Sequence, residues 1–267
     1  MPKLSVIIIT LNEEANILRA LESAKPVADE IVVVDSLSSD RTAEICRESG
    51  CRVFLRKFDG YGPQKQYAVA QASNDWIMYL DADEVLTEEL QQEIRLIFTN
   101  GSAPANSHHG SEKSRFSLDV IAGFNVQSSL CYMGKILRHS GVGKEIHLRL
   151  FNRNKGGFTD LPVHEGIEVT GETGMLKGKV IHYSYRGISH HLDKINHYTT
   201  LAAEGYFNKG RRFSKLWVAF KFPASFVTFY IIKGGFLDGY PGFVWSLLAA
   251  VYASVKVAKT IEKFSKT

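Results

Sequence analysis

Trp76-Ile77-Met78-Tyr79-Leu80-Asp81-Ala82-Asp83-Glu84 is the stretch that decides how this chain is read. Five apolar residues in succession suit a strand buried on both faces, and the switch to carboxylates at Asp81 marks its carboxyl end. The same grammar recurs toward the N-terminus. Residues 4–9 form a β-branched run that ends in Thr10-Leu11-Asn12-Glu13, and residues 30–34 form another, closed by Asp35-Ser36. Helical patterns lie between these runs. Residues 15–24 carry Ile17, Leu18 and Leu21 on one face; Asp40 caps residues 41–49, which Gly50 ends; residues 64–72 follow. Residues 52–55 read as a third short strand, and Thr87 caps a helix over 88–98. Strands alternating with helices across short connections predict a doubly wound α/β sheet.

Beyond residue 100 the rhythm changes. The polar segment 100–117 reads as a mobile loop, either over an active site or as an inert insertion. Further strands are expected at 122–132, 145–151 and 175–182, and the pattern turns helical from Ser189 onward. The chain of 267 residues, 45% hydrophobic and 22% charged, is long enough to bury a sizeable core. A net charge of +4 suits an anionic substrate or lipid surface and gives no ground for a nucleic-acid partner. Cys46, Cys51 and Cys131 have neither CxxC nor zinc spacing, so free thiols in a reducing, cytoplasmic setting are expected. The apolar run after Lys3 is short for a signal peptide, in keeping with that location.

Ligands of open α/β sheets bind beyond the carboxyl ends of strands, where the strand order reverses. Here those ends carry Asn12-Glu13, Asp35, and Asp81 with Asp83. Two carboxylates two residues apart on chain leaving a strand can converge on a hard divalent ion that also holds phosphate oxygens. Other nucleotide chemistries fit poorly. No GxGxxG follows the first strand, and Gly141-Val142-Gly143-Lys144-Glu145 lacks the glycine spacing and hydroxyl of a P-loop. His164-Glu165 is not a zinc helix, because Glu168 stands where the second histidine would be.

Read together, LSVIIITLNEE at 4–14, EIVVVDSLSSDRT at 30–42, FDGYGPQKQ at 58–66 and WIMYLDADE at 76–84 resemble the family 2 glycosyltransferases of the GT-A fold. Within that family the chain is similar to the lipopolysaccharide core glucosyltransferases, with looser matches at Val163-His164-Glu165, His182-Tyr183-Ser184-Tyr185 and Leu237-Asp238-Gly239. The resemblance implies a UDP-sugar donor, Mg²⁺ or Mn²⁺, and a lipopolysaccharide core or other lipid-linked acceptor. It implies that Thr10, Asn12 and Glu13 line the nucleotide pocket, that Asp35 accepts from the uracil ring, and that Asp81 lies near ribose and metal. Asp83 would coordinate the metal, with His182 as a further ligand. Glu165 would be the base that deprotonates the acceptor hydroxyl. Lys65 is placed to meet donor phosphate or base; its other reading is a solvated surface lysine. Arg149 and Arg153 could steady a phosphate or serve in salt bridges, and His108-His109 and His190-His191 are read as exposed.

The catalytic domain is expected over residues 1–186 and a helical, membrane-proximal region over 187–267. The apolar stretch 222–232 is short for a membrane span, and 236–258 carries Asp238, Gly239, Pro241 and Gly242 near its start. Interfacial amphipathic helices, peripheral to the inner membrane with lysines toward anionic lipid, are the expectation; a packed helical pair or a homo-oligomer interface is the alternative. Transfer to a polyprenyl phosphate or a protein, or non-catalytic binding of a sugar nucleotide, uses the same donor motifs.

Overall fold

In a computed structural model, residues 2–104, 115–159 and 166–266 are described. The chain forms two compact units: Met1–Ser128 with Glu145–His182, and Ser129–Lys144 with Tyr183–Thr267.

The first unit begins with β1 (Leu4–Thr10), α1 (Ile17–Ala24), β2 (Glu30–Asp35), α2 (Thr42–Glu48), β3 (Arg52–Leu55), α3 (Tyr61–Gln71) and β4 (Trp76–Asp81). It continues through β5 (Glu84–Leu86), α4 (Glu88–Asn100) and the short pair β6 (Ser102–Pro104) and β7 (Arg115–Ser117). Then come β8 (Ile121–Tyr132), whose last residues belong to the second unit, β9 (Lys135–Ile136) in that second unit, β10 (Ile146–Asn152), β11 (Gly156–Phe158), β12 (Ile167–Val169) and β13 (Glu172–His182). The main sheet runs β3-β2-β1-β4-β10-β8-β13-β5. Its first half is parallel, with Thr10 level with Asp35 and Ile9 level with Asp81. β10 then pairs antiparallel with β4 and β8, and β5 pairs antiparallel with β13. The α/β sheet expected from the alternation of strands and helices is therefore formed, and beyond β4 it is mixed. Apolar runs record burial on both faces but carry no signal for strand direction.

The strands form because β-branched side chains alternate into two cores. Leu4, Val6 and Ile8 point into one, Ile7 and Ile9 into the other, and all are buried. Helix α4 opens at Thr87, whose hydroxyl accepts from Leu90 N–H (3.3 Å), and closes at Gly101 with φ 63°. Gly178 of β13 lets α4 lie close: a Cβ there would come within 2.3 Å of Leu90 backbone. α3 starts one turn earlier than the sequence suggested, at Tyr61, after Gly60 with φ 129°. Of the polar segment 100–117, residues 105–114, with His108 and His109, lie outside the described residues.

In the second unit, α5 (Ile188–Asn208) precedes α6 (Lys215–Val227), capped by Ser214, whose hydroxyl accepts from Trp217 N–H (3.3 Å). The helix runs on through a π-helical turn, Thr228–Ile232, and a 3₁₀ turn, Gly235–Asp238, leads into α7 (Gly239–Ser265). Asp238 is buried and accepts from the backbone N–H groups of Arg138 and His139 and from His139 Nδ1, which ties the 129–144 segment to the helices of this unit. His191 is buried too, contrary to the exposed reading. It stacks on Trp245 and bonds the Tyr132 hydroxyl through Nδ1 at 2.9 Å. The rings of Tyr132, Tyr185 and Trp245 pack around the imidazole and bury it. Lys215–Ile232 and Gly235–Ser265 are long and apolar enough to cross a membrane by length and composition. The length argument made for 222–232 thus rested on a shorter element than the helix that forms.

Candidate active site

The strand order changes direction between β1 and β4, and their adjacent carboxyl ends open onto a cavity of about 330 Å³. Thr10 and Glu13 after β1, Ser36 after β2, and Asp81 and Asp83 after β4 line it, with His182 from the end of β13. This is the switch point where a ligand of such a sheet sits.

Thr10 is 5% exposed, and its hydroxyl has no hydrogen-bond partner among the described residues. Thr10 lines the cavity, and a buried hydroxyl without a partner is a group whose missing bond a ligand oxygen or N–H would supply. Asn12 sits at φ 54° and fixes the neighbouring loop: its N–H donates to Ser38 Oγ (2.9 Å) and its Oδ1 accepts from Ser39 N–H (2.8 Å). Glu13 accepts from Asn16 Nδ2 at 2.8 Å. Asp35 is fully buried, and its carboxylate oxygens accept from Ser38 N–H (2.8 Å) and Ser38 Oγ (2.6 Å). Ser36 lines the cavity; Asp35 stands behind it, with acceptor capacity left over.

The carboxylates after β4 take separate partners. Asp81 accepts from the Tyr79 hydroxyl, and its backbone N–H donates to Glu84 Oε2 (3.0 Å). Asp83 meets His182 Nε2 at 3.1 Å. Burial opposes charge on His182, but the Asp83 hydrogen bond and the charges of Asp83, Glu84 and Asp81 outweigh it and raise its pKa. Beneath them Arg149 donates to Glu84 twice, at 2.8 and 2.7 Å, with both side chains buried, and it lies 3.6 Å from Asp81. Burial, then the Asp81 charge, pushes Glu84 upward against the pull of Arg149. Of the two readings of Arg149, the salt bridge is the one formed. Arg153 likewise binds Ala72 O (2.7 Å) and Asp75.

Sequence reasoning missed Glu84 and Tyr79 as the groups that orient Asp81. A signal existed: Arg149 interrupts Leu148-Arg149-Leu150-Phe151, and an arginine inside an apolar strand requires a buried acid. Lys65 is buried, not a surface lysine. Its Nζ lies 4.6 Å from the Tyr79 ring and 5.7 Å from that of Phe158. It lines a second cavity of about 510 Å³ that shares Asp81 and His182 with the first and has Gly166 on its wall. Glu165 lies outside the described residues.

Among the described residues no group of three or more His, Cys, Asp or Glu side chains is arranged to hold a metal ion by itself. Asp83 and His182 nonetheless offer a hard oxygen and an imidazole at one point on the cavity wall, a donor set that suits Mg²⁺ or Mn²⁺ when phosphate oxygens and water complete it.

The comparisons with known proteins agree with this geometry. The family model "Glycosyl transferase family 2" matches residues 5–112. An uncharacterized glycosyltransferase of Rickettsia typhi is 30% identical, over 98% of this chain and 88% of that protein. The lipopolysaccharide core biosynthesis glycosyltransferase LpsC of Rhizobium meliloti is 32% identical, over 98% of this chain and 94% of that protein. Among solved structures, glucosyl-3-phosphoglycerate synthase from Mycobacterium tuberculosis with Mn²⁺, UDP and glucosyl-3-phosphoglycerate is 24% identical over 49% of this chain and 44% of that one. Its TM-score is 0.35, a likeness too small to transfer ligand or role. On the strength of these full-length relatives and the helix-flanked mixed sheet, the chain belongs to glycosyl transferase family 2, with a catalytic unit of the GT-A type and a helical C-terminal region.

Proposed function

We propose that this protein transfers a hexose with inversion, glucose from UDP-glucose, to an inner-core sugar of lipopolysaccharide at the cytoplasmic surface of the inner membrane. One observation carries the donor half of this reading. Thr10, Asp81, Asp83 and His182 meet around a single cavity at the switch point, and the Thr10 hydroxyl has no partner among the described residues. The similarity to LpsC supports the acceptor half.

In this reading Thr10, Asn12, Glu13 and Asp35 make the uridine side of the pocket, directly or by fixing its loop. Asp83 and His182 hold Mg²⁺ or Mn²⁺, whose charge when bound offsets that gathering on the departing diphosphate. Asp81 is kept in place by Tyr79 and by the Glu84–Arg149 pair. The acceptor enters by the larger cavity, where Lys65 contributes positive charge beside Tyr79 and Phe158. Glu165, next in sequence to Gly166 on that cavity's wall, takes the proton of the attacking hydroxyl. The new glycosidic bond forms as the bond from the anomeric carbon to the diphosphate oxygen breaks, and UDP leaves with that electron pair.

Isothermal titration with UDP, UDP-glucose and competing nucleotides, with and without Mn²⁺, tests the donor site against an Asp83→Ala variant. Metal-dependent UDP binding that the variant loses is the expected result. Absence of nucleotide binding to folded wild-type protein would leave non-catalytic binding of another ligand as the reading.

A further inference from the structure

Given the UDP-sugar donor proposed above, we infer that Gln64 is a positioning residue for the donor base. It holds the Ser36 hydroxyl as a hydrogen-bond donor toward a carbonyl oxygen of the uracil ring, and reads the base without touching it.

Gln64 lies in the first turn of α3 and is fully buried. Both hydrogens of its amide nitrogen are used: Nε2 donates to the Arg56 carbonyl at 3.2 Å and to Ser36 Oγ at 3.1 Å. A carbonyl can only accept, so the nitrogen of the amide, not its oxygen, faces this pair. Gln64 Oε1 has no partner among the described residues. The desolvation cost of that idle oxygen is of the same order as the gain from two neutral bonds. Packing alone therefore gives no reason for an amide here in place of a methionine of similar length. The bond to Ser36 does.

Ser36 follows β2, donates its N–H to the Thr10 carbonyl (2.8 Å) and lines the cavity of about 330 Å³. Gln64 occupies a lone pair of its Oγ, and no described residue accepts the hydroxyl proton. Asp35, the preceding residue, is fully buried and fixes the loop through Ser38, so Ser36 is the member of this pair on the cavity wall. A hydroxyl held in this way presents its proton to a carbonyl oxygen in preference to accepting from an amino group. Phe58 and Tyr61 line the same cavity, their exposed rings 5.0 Å apart, and offer apolar surface to a flat pyrimidine. β1 stands between β2 and β4, so Ser36 and the carboxylates after β4 are two strand spacings apart, about 10 Å. That separation leaves room for a ribose between base and diphosphate.

The test is isothermal titration of the full chain, with Mn²⁺, using UDP and CDP in parallel. Wild type should bind UDP about tenfold more tightly than CDP, or better. Gln64→Met frees the Ser36 hydroxyl to turn and accept, so the UDP-over-CDP ratio should fall about threefold to tenfold. The melting temperature should stay within about 3 °C of wild type, because the amide contributes little to stability. Ser36→Ala should lower the ratio by the same factor, and adding Gln64→Met to it should change nothing further. A folded wild type that binds neither nucleotide would remove the donor site, and this role with it. A wild type that prefers UDP, with the full ratio kept in Gln64→Met, would overturn the role of Gln64 and leave the donor site standing. No preference between UDP and CDP in wild type would overturn the role of Ser36. Additive losses in the double variant would overturn the route through Ser36, and a Gln64→Met chain that fails to fold would make the amide a structural element instead.

Discussion

Changing Glu84 to glutamine isolates what the buried ion pair under the active site contributes. The pair is bidentate at 2.8 and 2.7 Å, with side chains 1% exposed for Glu84 and 8% for Arg149. Glutamine keeps the shape and one acceptor but removes the charge, so Arg149 is left buried beside Asp81 alone, 3.6 Å away and 37% exposed. Removing one partner of a buried pair costs about 3–5 kcal/mol, and the residual Asp81 contact argues for the lower end, about 3 kcal/mol. For a unit of this size that is a fall in melting temperature of roughly 6–12 °C. The assay is thermal unfolding followed by Trp76 emission in a Trp217→Phe/Trp245→Phe background, since Trp76 sits in the core of the first unit. The double change Glu84→Leu with Arg149→Met removes both charges and should recover most of the loss, because a buried pair replaced by apolar groups is often neutral. Unfolding of Glu84→Gln within about 2 °C of wild type, or a double variant less stable than the single, would refute the reasoning.

Two further expectations follow from single side chains. Thr10→Val removes a buried hydroxyl that has no partner among the described residues, so the free protein should keep its stability while UDP affinity falls about threefold to tenfold in calorimetry, the worth of one neutral hydrogen bond; unchanged affinity would take Thr10 out of the donor site. His191 gives a pH dependence: burial first, then Lys194 and His190, pulls its pKa from 6.5 down to about 4. The unfolded chain therefore binds a proton between those values that the folded chain refuses. Stability is full above pH 6.5 and falls as pH drops toward 4, by about 3 kcal/mol for a shift of this size. Urea midpoints measured across that window should slope in wild type and flatten in His191→Gln; equal slopes would place the proton elsewhere.

How far the sequence speaks depends on whether the signal is local. The strands 4–9, 30–34 and 76–80 were legible within a residue because each is a continuous apolar run stopped by a polar residue, and burial on both faces leaves no other use for such a run. The cap at Thr87 was legible for the same reason. Direction was not: the antiparallel course of β10 is fixed by its pairing with Met78 and Ile77, far away in sequence. Nor was the allotment of residues 129–144 to the second unit, which depends on Asp238 accepting from Arg138 and His139 about a hundred residues away. Asp81, Asp83 and His182 were named as site residues and do line one cavity, but the Glu84–Arg149 pair that holds Asp81 spans 65 positions. Lys65 was visible as a cation near a glycine, and its burial against Tyr79 and Phe158 was not.

The electrostatics of the cavity bear on the order in which its ligands bind. Asp81 and Asp83 stand on its wall, and Arg149, the cation beneath them, is committed to Glu84 by two short bonds. His182 is spent on Asp83. A diphosphate entering by itself would meet two carboxylates with no uncommitted cation among the described residues that line this cavity, and two like charges a few ångströms apart repel by several kcal/mol at the effective dielectric of a protein surface, about 4 kcal/mol at 4 Å. A divalent cation held by Asp83 and His182 would supply the positive charge that offsets this repulsion. Donor affinity should therefore depend on the metal through the pocket's own charge and not merely through the chemistry of the leaving group, and the dependence should weaken in Asp83→Asn even where residual nucleotide binding persists.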